Sequence, residues 1–183
     1  MYLKKGGSSL SADQPFLRTE SNFNKVMKMH KLLKVIYSPD HQKKWDKVLE
    51  DSQVQPLGES TRNIGYSYTK NKKQFTIASR DFFEKGFNFY HDGKFYRYST
   101  SVPDSENSLK PPVDKKTVRG TTNFNVGIME RDPGSGKILF TMAAQCDFKI
   151  KVPSFMLTSF LPSAVKSWHE NVSKYYNKNH KQI

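Results

Sequence analysis

Residue types that support catalysis or metal binding are few in this sequence, and their spacing forms no reactive motif. Cys146 is its only cysteine, which excludes an internal disulfide or a cysteine-based zinc site within these residues. Metal-ligand spacing is absent among the five histidines. These are His30, His41, His91, His169 and His180. We therefore expect no enzyme activity, no metal and no cofactor.

The segment DPGSGKI at 132–138 is the one stretch similar to a phosphate-binding loop. Arg131 and Ile138 stand where that loop needs its first glycine and its final hydroxyl residue. The segment predicts a hairpin turn instead.

The net charge of +13, carried mainly by lysine, favours contact with a polyanion. Lysines are spread along the chain rather than gathered on one stripe, which is typical of a solvated surface. Two partners fit the charge: an anionic membrane surface, contacted transiently, and a nucleic acid bound through sheet aromatics. The glycine and aromatic signature of RNA-recognition strands is missing, so nucleic acid is the less favoured partner.

Apolar runs are far shorter than the ~20 residues that span a bilayer, and we expect a cytoplasmic protein.

Aromatic residues crowd the segment SRDFFEKGFNFYHDGKFYRYS at 79–99, where several stand side by side instead of alternating. Both faces of these strands therefore need apolar partners. Polar side chains interrupt the strand region at Asn88, Asn123, Asn125, Thr141 and Gln145. A few polar groups within apolar surroundings are typical of a ligand site. The pattern predicts an internal cavity.

The order of helical and strand patterns predicts one α+β domain over 15–183, after a polar, disordered leader over 1–14. Helical spacing predicts a helix that begins at Asn22 or Asn24 and stops before Pro39. A short second helix is predicted over 40–49. From 53 to 148 the period is two, with turn signals between segments, which predicts an antiparallel sheet of roughly five or six strands.

The last predicted helix carries an apolar side that can close the sheet. It opens at Pro153 and ends near Asn177, with Pro162 expected to kink it. A twisted antiparallel sheet can curve around such a helix and turn its concave face toward it. The candidate residues that line the enclosed space from this helix are Phe155, Leu161, Val165 and Trp168.

Four motifs, in order, resemble those of the steroidogenic acute regulatory protein-related lipid-transfer (START) domains. YSPDHQKKWDKVLED is similar to their early DPxxRxxWD segment, and ASRDFFEKGFNFYHDGKFYRYSTSV is similar to their SxRDFV and DGxYxxxSxSV strand pair. KTVRGTTNF resembles their VRAE strand, and CDFKIKVPSF resembles the DxKGxIPxx segment before their last helix. The resemblance covers residues 16–178.

The resemblance implies the helix-grip fold, a curved antiparallel β-sheet wrapped around a long C-terminal α-helix and enclosing a tunnel for one lipid. It implies a non-enzymatic carrier of a phospholipid, a ceramide-like lipid or a sterol, which we expect to be a monomer. Gly86 stands where cholesterol-binding members carry a buried arginine, so a sterol-type charged pair is not expected. Two alternatives stay open: another helix-grip protein, such as a chaperone activator or polyketide cyclase, and a basic RNA-binding sheet.

The resemblance also suggests roles for two residues. Arg80 resembles the arginine that phosphatidylcholine-transfer members direct at the lipid phosphate; its alternative is a salt bridge with Asp81. Asn123 resembles the asparagine of ceramide-transfer domains; its alternative is a solvent-facing position on the convex face. The candidate lipid-binding residues on the strands are Arg80, Phe82, Asn88, Asn123, Asn125 and Gln145.

Overall fold

A computed structural model describes residues 2–5, 15–58, 63–74, 77–150 and 154–183, without the side chains at 2–5, 15, 107 and 154–160. The described strands are β1 (Tyr2–Lys5), β2 (Pro15–Phe23), β3 (Leu49–Pro56), β4 (Ile64–Asn71), β5 (Ser79–His91), β6 (Lys94–Ser101), β7 (Thr117–Arg119), β8 (Thr121–Arg131) and β9 (Ile138–Asp147). The helices are α1 (Met29–Tyr37), α2 (Pro39–Trp45) and α3 (Ser154–Asn179), with a 3₁₀ segment at Asp104–Leu109. None of these helices is long and apolar enough to cross a membrane.

All nine described strands form one sheet. Eight follow the order β1-β2-β9-β8-β6-β5-β4-β3 with antiparallel neighbours, and β7 pairs in parallel with β5. The predicted α+β class, with an antiparallel sheet before a long C-terminal helix, is confirmed. Tyr2–Lys5 belong to the segment predicted as a disordered leader, yet they pair with Pro15–Phe23 as β1. Met1 and residues 6–14 of that segment lie outside the described part.

The predicted start of the first helix is wrong. β2 occupies Pro15–Phe23, and α1 begins only at Met29, which leaves Val26 75% exposed in the connection. Thr19 and Ser21 are buried on the inner face of β2 together with Phe23. Because two members of this inner row are polar, β2 shows no hydrophobic alternation in the sequence.

The second helix is also shorter than predicted. It begins with Pro39 at its first turn, where the missing N–H costs nothing, and it ends at Trp45. Leu49 starts β3 instead of ending the helix, and Val48 is exposed. The segment 46–49 turns because the Asp46 carboxylate accepts hydrogen bonds from the backbone N–H groups of Val48 and Leu49.

Two tight turns connect neighbouring antiparallel strands. Asp92 and Gly93 have φ values of 47° and 71° in the two-residue connection between β5 and β6, where positive φ matches the twist of the strands. The predicted hairpin at 132–138 is confirmed: Asp132 donates its N–H to the Lys137 carbonyl at 2.8 Å. It joins β8 to β9.

The main core lies between the inner face of the sheet and the three helices. Trp45 donates its indole N–H to the Val35 carbonyl at 2.8 Å, which ties α2 to α1. The hydroxyl of Tyr176 accepts the Lys28 N–H at 2.8 Å and so fixes the C-terminal half of α3 beside α1. Fully buried core side chains include Phe23, Leu32, Val35, Met129, Ile138 and Val172. The helices therefore cover the face from which the candidate site is built.

Candidate functional site

Two adjoining cavities lie between the inner face of the sheet and the helices. The helix-side cavity has a volume of about 320 Å³, and the strand-side cavity about 270 Å³. The walls of both include Tyr37, Gln42, Arg97 and Asn125, which we call the shared wall. Together the cavities fall within the size range of small-molecule sites, roughly 300–1,000 Å³.

The helix-side cavity is mainly apolar. α3 provides Ala164, Val165 and Trp168, and β9 provides Phe140 and Met142. The aromatic ring of Trp168 stacks on that of Phe140 at a centroid distance of 5.7 Å. This cavity is therefore suited to a hydrocarbon group.

The strand-side cavity is richer in polar groups. Its walls include small hydroxyl side chains and one carboxylate, Glu84. The hydroxyl-bearing residues are Ser52, Ser67, Thr69 and Thr122, and the apolar ones are Val54, Phe82 and Phe148. A polar head group would find hydrogen-bond partners here.

Tyr37 and Arg97 form the centre of the shared wall. The Arg97 guanidinium carbon lies 4.8 Å from the centroid of the Tyr37 ring, a cation–π arrangement. Burial raises the pKa of Tyr37 to about 12, although the Arg97 charge opposes this shift, so the phenol stays neutral. Gly127 makes room for this ring, because a Cβ there would lie 2.6 Å from the Tyr37 hydroxyl oxygen.

Gln42 is held in one orientation. Its side-chain amide donates to the Ile36 carbonyl at 2.6 Å, and its amide oxygen accepts the Ser52 hydroxyl at 2.9 Å. Thus α2 and β3 are linked across the cavity wall.

Four of the predicted site residues line these cavities, and one more is in contact with the shared wall. The lining residues are Phe82, Asn125, Val165 and Trp168. Asn88 accepts a hydrogen bond from Arg97 through its side-chain oxygen at 3.2 Å. Leu161 is not among the residues that line either cavity. The side chain of Phe155 lies outside the described part.

Arg80 lies at the strand start, outside the two cavities. Its guanidinium donates to the carbonyl of Phe148 at 3.1 Å, and also to the carbonyls of Ala78 and Lys149. Asp81 pairs with Arg119 instead, through two bonds of 2.7 Å. Arg80 therefore holds the connection that leads from β9 toward α3.

Asn123 and Gln145 lie on the outer face of the sheet. Phe140, Met142 and Cys146 of β9 face the cavities, so alternation places Gln145 on the other side. A bulge between Thr122 and Phe124 makes Asn123 the extra residue of β8. The Asn123 amide donates to the Gln145 side-chain oxygen at 3.3 Å.

Sequence patterns did not indicate Arg97, Tyr37 or Gln42 as site residues. A signal for Arg97 was present, since it lies two residues after Phe95, a core residue, and thus on the same strand face. Tyr37 and Gln42 belong to the two helices between β2 and β3, where only packing against distant strands reveals a cavity.

The crowded aromatic residues divide between the two faces of the sheet. Phe82 and Phe95 point inward and are buried. On the outer face, Phe89 stacks on Tyr96 at 4.8 Å, and Phe87 lies 5.4 Å from Tyr98. Phe87 and Phe89 remain 42% and 43% exposed. Outer-face stacking thus accounts for the side-by-side pattern in the sequence.

Cys146 offers a probe of the strand-side cavity. Burial raises the pKa of its thiol to about 11, and the sulfur lies 3.7 Å from the Thr122 hydroxyl oxygen. At pH 8 only about one thiol in a thousand is ionised, so alkylation by iodoacetamide should be slow. We expect the rate to rise about tenfold per pH unit up to that pKa, and to fall when the cavity is occupied. The urea-unfolded chain, whose thiol returns to an ordinary pKa, is the control; equal rates for folded and unfolded protein would contradict this placement.

The architecture is that of the START domains. Human StAR-related lipid transfer protein 5 superposes with a TM-score of 0.75 at 20% identity, over 91% of this chain and 77% of its own. Human STARD10 superposes with a TM-score of 0.70 at 18% identity, over 92% of this chain, which spans 66% of the STARD10 chain. A fragment of the STAR-related lipid transfer protein from Xanthomonas axonopodis superposes with a TM-score of 0.68 at 15% identity, over 96% of this chain and 92% of its own. These likenesses establish a START-like helix-grip fold.

No family model matches the sequence, and no curated protein matches it.

Proposed function

We propose that this protein binds one lipid or related amphiphile in the adjoining cavities and carries it between membranes without catalysis. The observation that carries the proposal is the division of the interior into an apolar cavity beneath α3 and a more polar one beneath β3–β5, joined at the shared wall. An amphiphile is divided in the same way, into a hydrocarbon part and a polar head. Burial of its hydrocarbon part supplies about 0.8 kcal/mol per methylene, and the polar groups orient its head. The lipid-transfer proteins with this fold support the proposal.

Membrane contact is the second part of the proposal. A lipid must leave and enter a bilayer, and the net charge of +13 would attract the protein to anionic lipid surfaces. We infer a cytoplasmic monomer that meets membranes transiently.

Filling the helix-side cavity tests the site. Val165→Phe places a ring in that cavity, whereas Ser167→Phe places the same ring at an exposed position of the same helix. If the ring displaces roughly two methylenes, lipid affinity falls about tenfold. The measurement is the amount of lipid that each variant extracts from vesicles made of a total cell lipid extract, quantified by mass spectrometry after separation.

Wild-type protein and Ser167→Phe should extract equal amounts, and Val165→Phe should extract far less. A folded Val165→Phe variant that extracts as much lipid as the wild type would place the ligand elsewhere.

A further inference from the structure

Arg97 is the only cation among the described residues that line the two cavities. Arg97 lies on the shared wall and therefore borders both the apolar helix-side cavity and the more polar strand-side cavity. Its position on β6 is fixed by the pairing of Arg97 with Asn88 on β5 and with Gly127 on β8.

The partners of Arg97 within the described chain are neutral. Its guanidinium donates to the side-chain oxygen of Asn88 at 3.2 Å and packs over the ring of Tyr37, whose hydroxyl is not ionised near neutral pH. Other arginines at strand ends have different partners. Arg119 pairs with a carboxylate, and Arg80 and Arg131 donate to carbonyls. No described carboxylate forms an ion pair with Arg97. A guanidinium carries five N–H donors, so most of its donor capacity remains for a ligand.

Charge around Arg97 is not balanced within the wall. Glu84 is the only acidic residue among the described residues that line the two cavities; it lines the strand-side cavity and is absent from the shared wall. Glu84 lies on β5 four residues before Asn88, the residue that pairs with Arg97, and is itself paired with Ser101. Arg97 is partly buried, and a partly buried cation is stabilised when an anion with matching acceptors pairs with it.

We propose that the ligand is an amphiphile with an anionic head, a carboxylate or a phosphate, which Arg97 binds while the hydrocarbon part fills the helix-side cavity. This inference rests on the proposed function and adds the charge of the head group. Packing against the Tyr37 ring limits the orientations of the Arg97 guanidinium group, so its N–H donors are ordered before the ligand binds. A planar guanidinium favours two parallel N–H···O bonds to one carboxylate or phosphate.

The test compares two probes that share one chain and differ in the charge of the head group. cis-Parinaric acid and its methyl ester have the same fluorescent chain, and at pH 8 only the acid is anionic. Wild-type protein should bind the acid at least about tenfold more tightly than the ester, since a hydrogen bond to a charged group contributes roughly 1.5–3 kcal/mol. Arg97→Met should remove this difference, and Arg97→Lys should keep part of it. The matched control is Arg18→Met, which removes an exposed arginine paired with Glu20 and should keep the full difference.

Competition then distinguishes the two sources of the anion. Oleate and oleoyl lysophosphatidate should each displace the probe more effectively than neutral monoolein, and the stronger of the two identifies the head group. Equal binding of acid and ester by the wild type would overturn the inference while the proposed function stands. A preference for the acid that persists in Arg97→Met would also overturn it. If neither probe binds the wild type, the proposed function fails together with the inference.

Discussion

Trp168→Ala should lower the free energy of unfolding by about 3–5 kcal/mol, as large truncations in protein cores do. The Trp168 side chain joins α3 to three other elements. Its ring stacks on Phe140 of β9 and meets Trp45 of α2 edge-on at 6.0 Å and Phe23 of β2 at 6.4 Å. Truncation leaves a void that these large neighbours cannot fill. Urea unfolding followed by circular dichroism gives the change.

Lys166→Ala is the control for this experiment. Lys166 is exposed on the same helix, and its 4.0 Å contact with Glu170 is a surface pair. We expect a change below about 0.5 kcal/mol. If Trp168→Ala leaves the urea midpoint unchanged, α3 does not close the sheet.

Asp81→Ala should also cost about 3–5 kcal/mol, because it leaves the charge of Arg119 without a partner. The Asp81 side chain is 1% exposed and accepts two hydrogen bonds of 2.7 Å from Arg119. Arg119 also donates to the Pro111 carbonyl at 2.9 Å, so this pair ties β5 and β7 to the segment that precedes β7. Thermal and urea unfolding measure the loss.

A double variant separates the charge effect from packing. Asp81→Ala combined with Arg119→Met removes both charges, and its loss of stability should be smaller than that of Asp81→Ala alone. Glu20→Ala, which breaks the exposed Arg18–Glu20 pair, should cost at most about 1 kcal/mol. A double variant less stable than Asp81→Ala would contradict the role of the unpaired charge.

The fold was predictable because several local signals agree with it. Asp92-Gly93 specifies a two-residue hairpin, Pro39 separates the first two helices, and apolar residues repeat at helical spacing through α3. β2 was missed because Thr19 and Ser21 occupy its inner row, where hydrophobic residues normally mark a strand. The core at this edge of the sheet depends on packing that no local pattern shows.

The candidate site was less predictable, because one bulge decides which amide points inward. Asn123 and Asn125 are two residues apart, and simple alternation would place both on one face. The bulge at Asn123 breaks that alternation, so Asn125 lines the cavities and Asn123 bonds to Gln145 on the outer face. Arg97 was overlooked because a lone charge between aromatic residues has the same pattern as a solvent-facing position. Its inward direction becomes evident only because Phe95, two residues before it on the same face, is buried in the core.

Native mass spectrometry of the protein, purified from cells without detergent, tests most directly whether its interior holds one amphiphile. We expect a population whose mass exceeds that of the chain by one lipid molecule, released by collisional activation and identified by its fragments. Protein incubated with vesicles of total cell lipids should show more of this population, and Val165→Phe should show less. Wild-type protein that remains at the mass of the bare chain after incubation, while it is folded, would contradict lipid carriage.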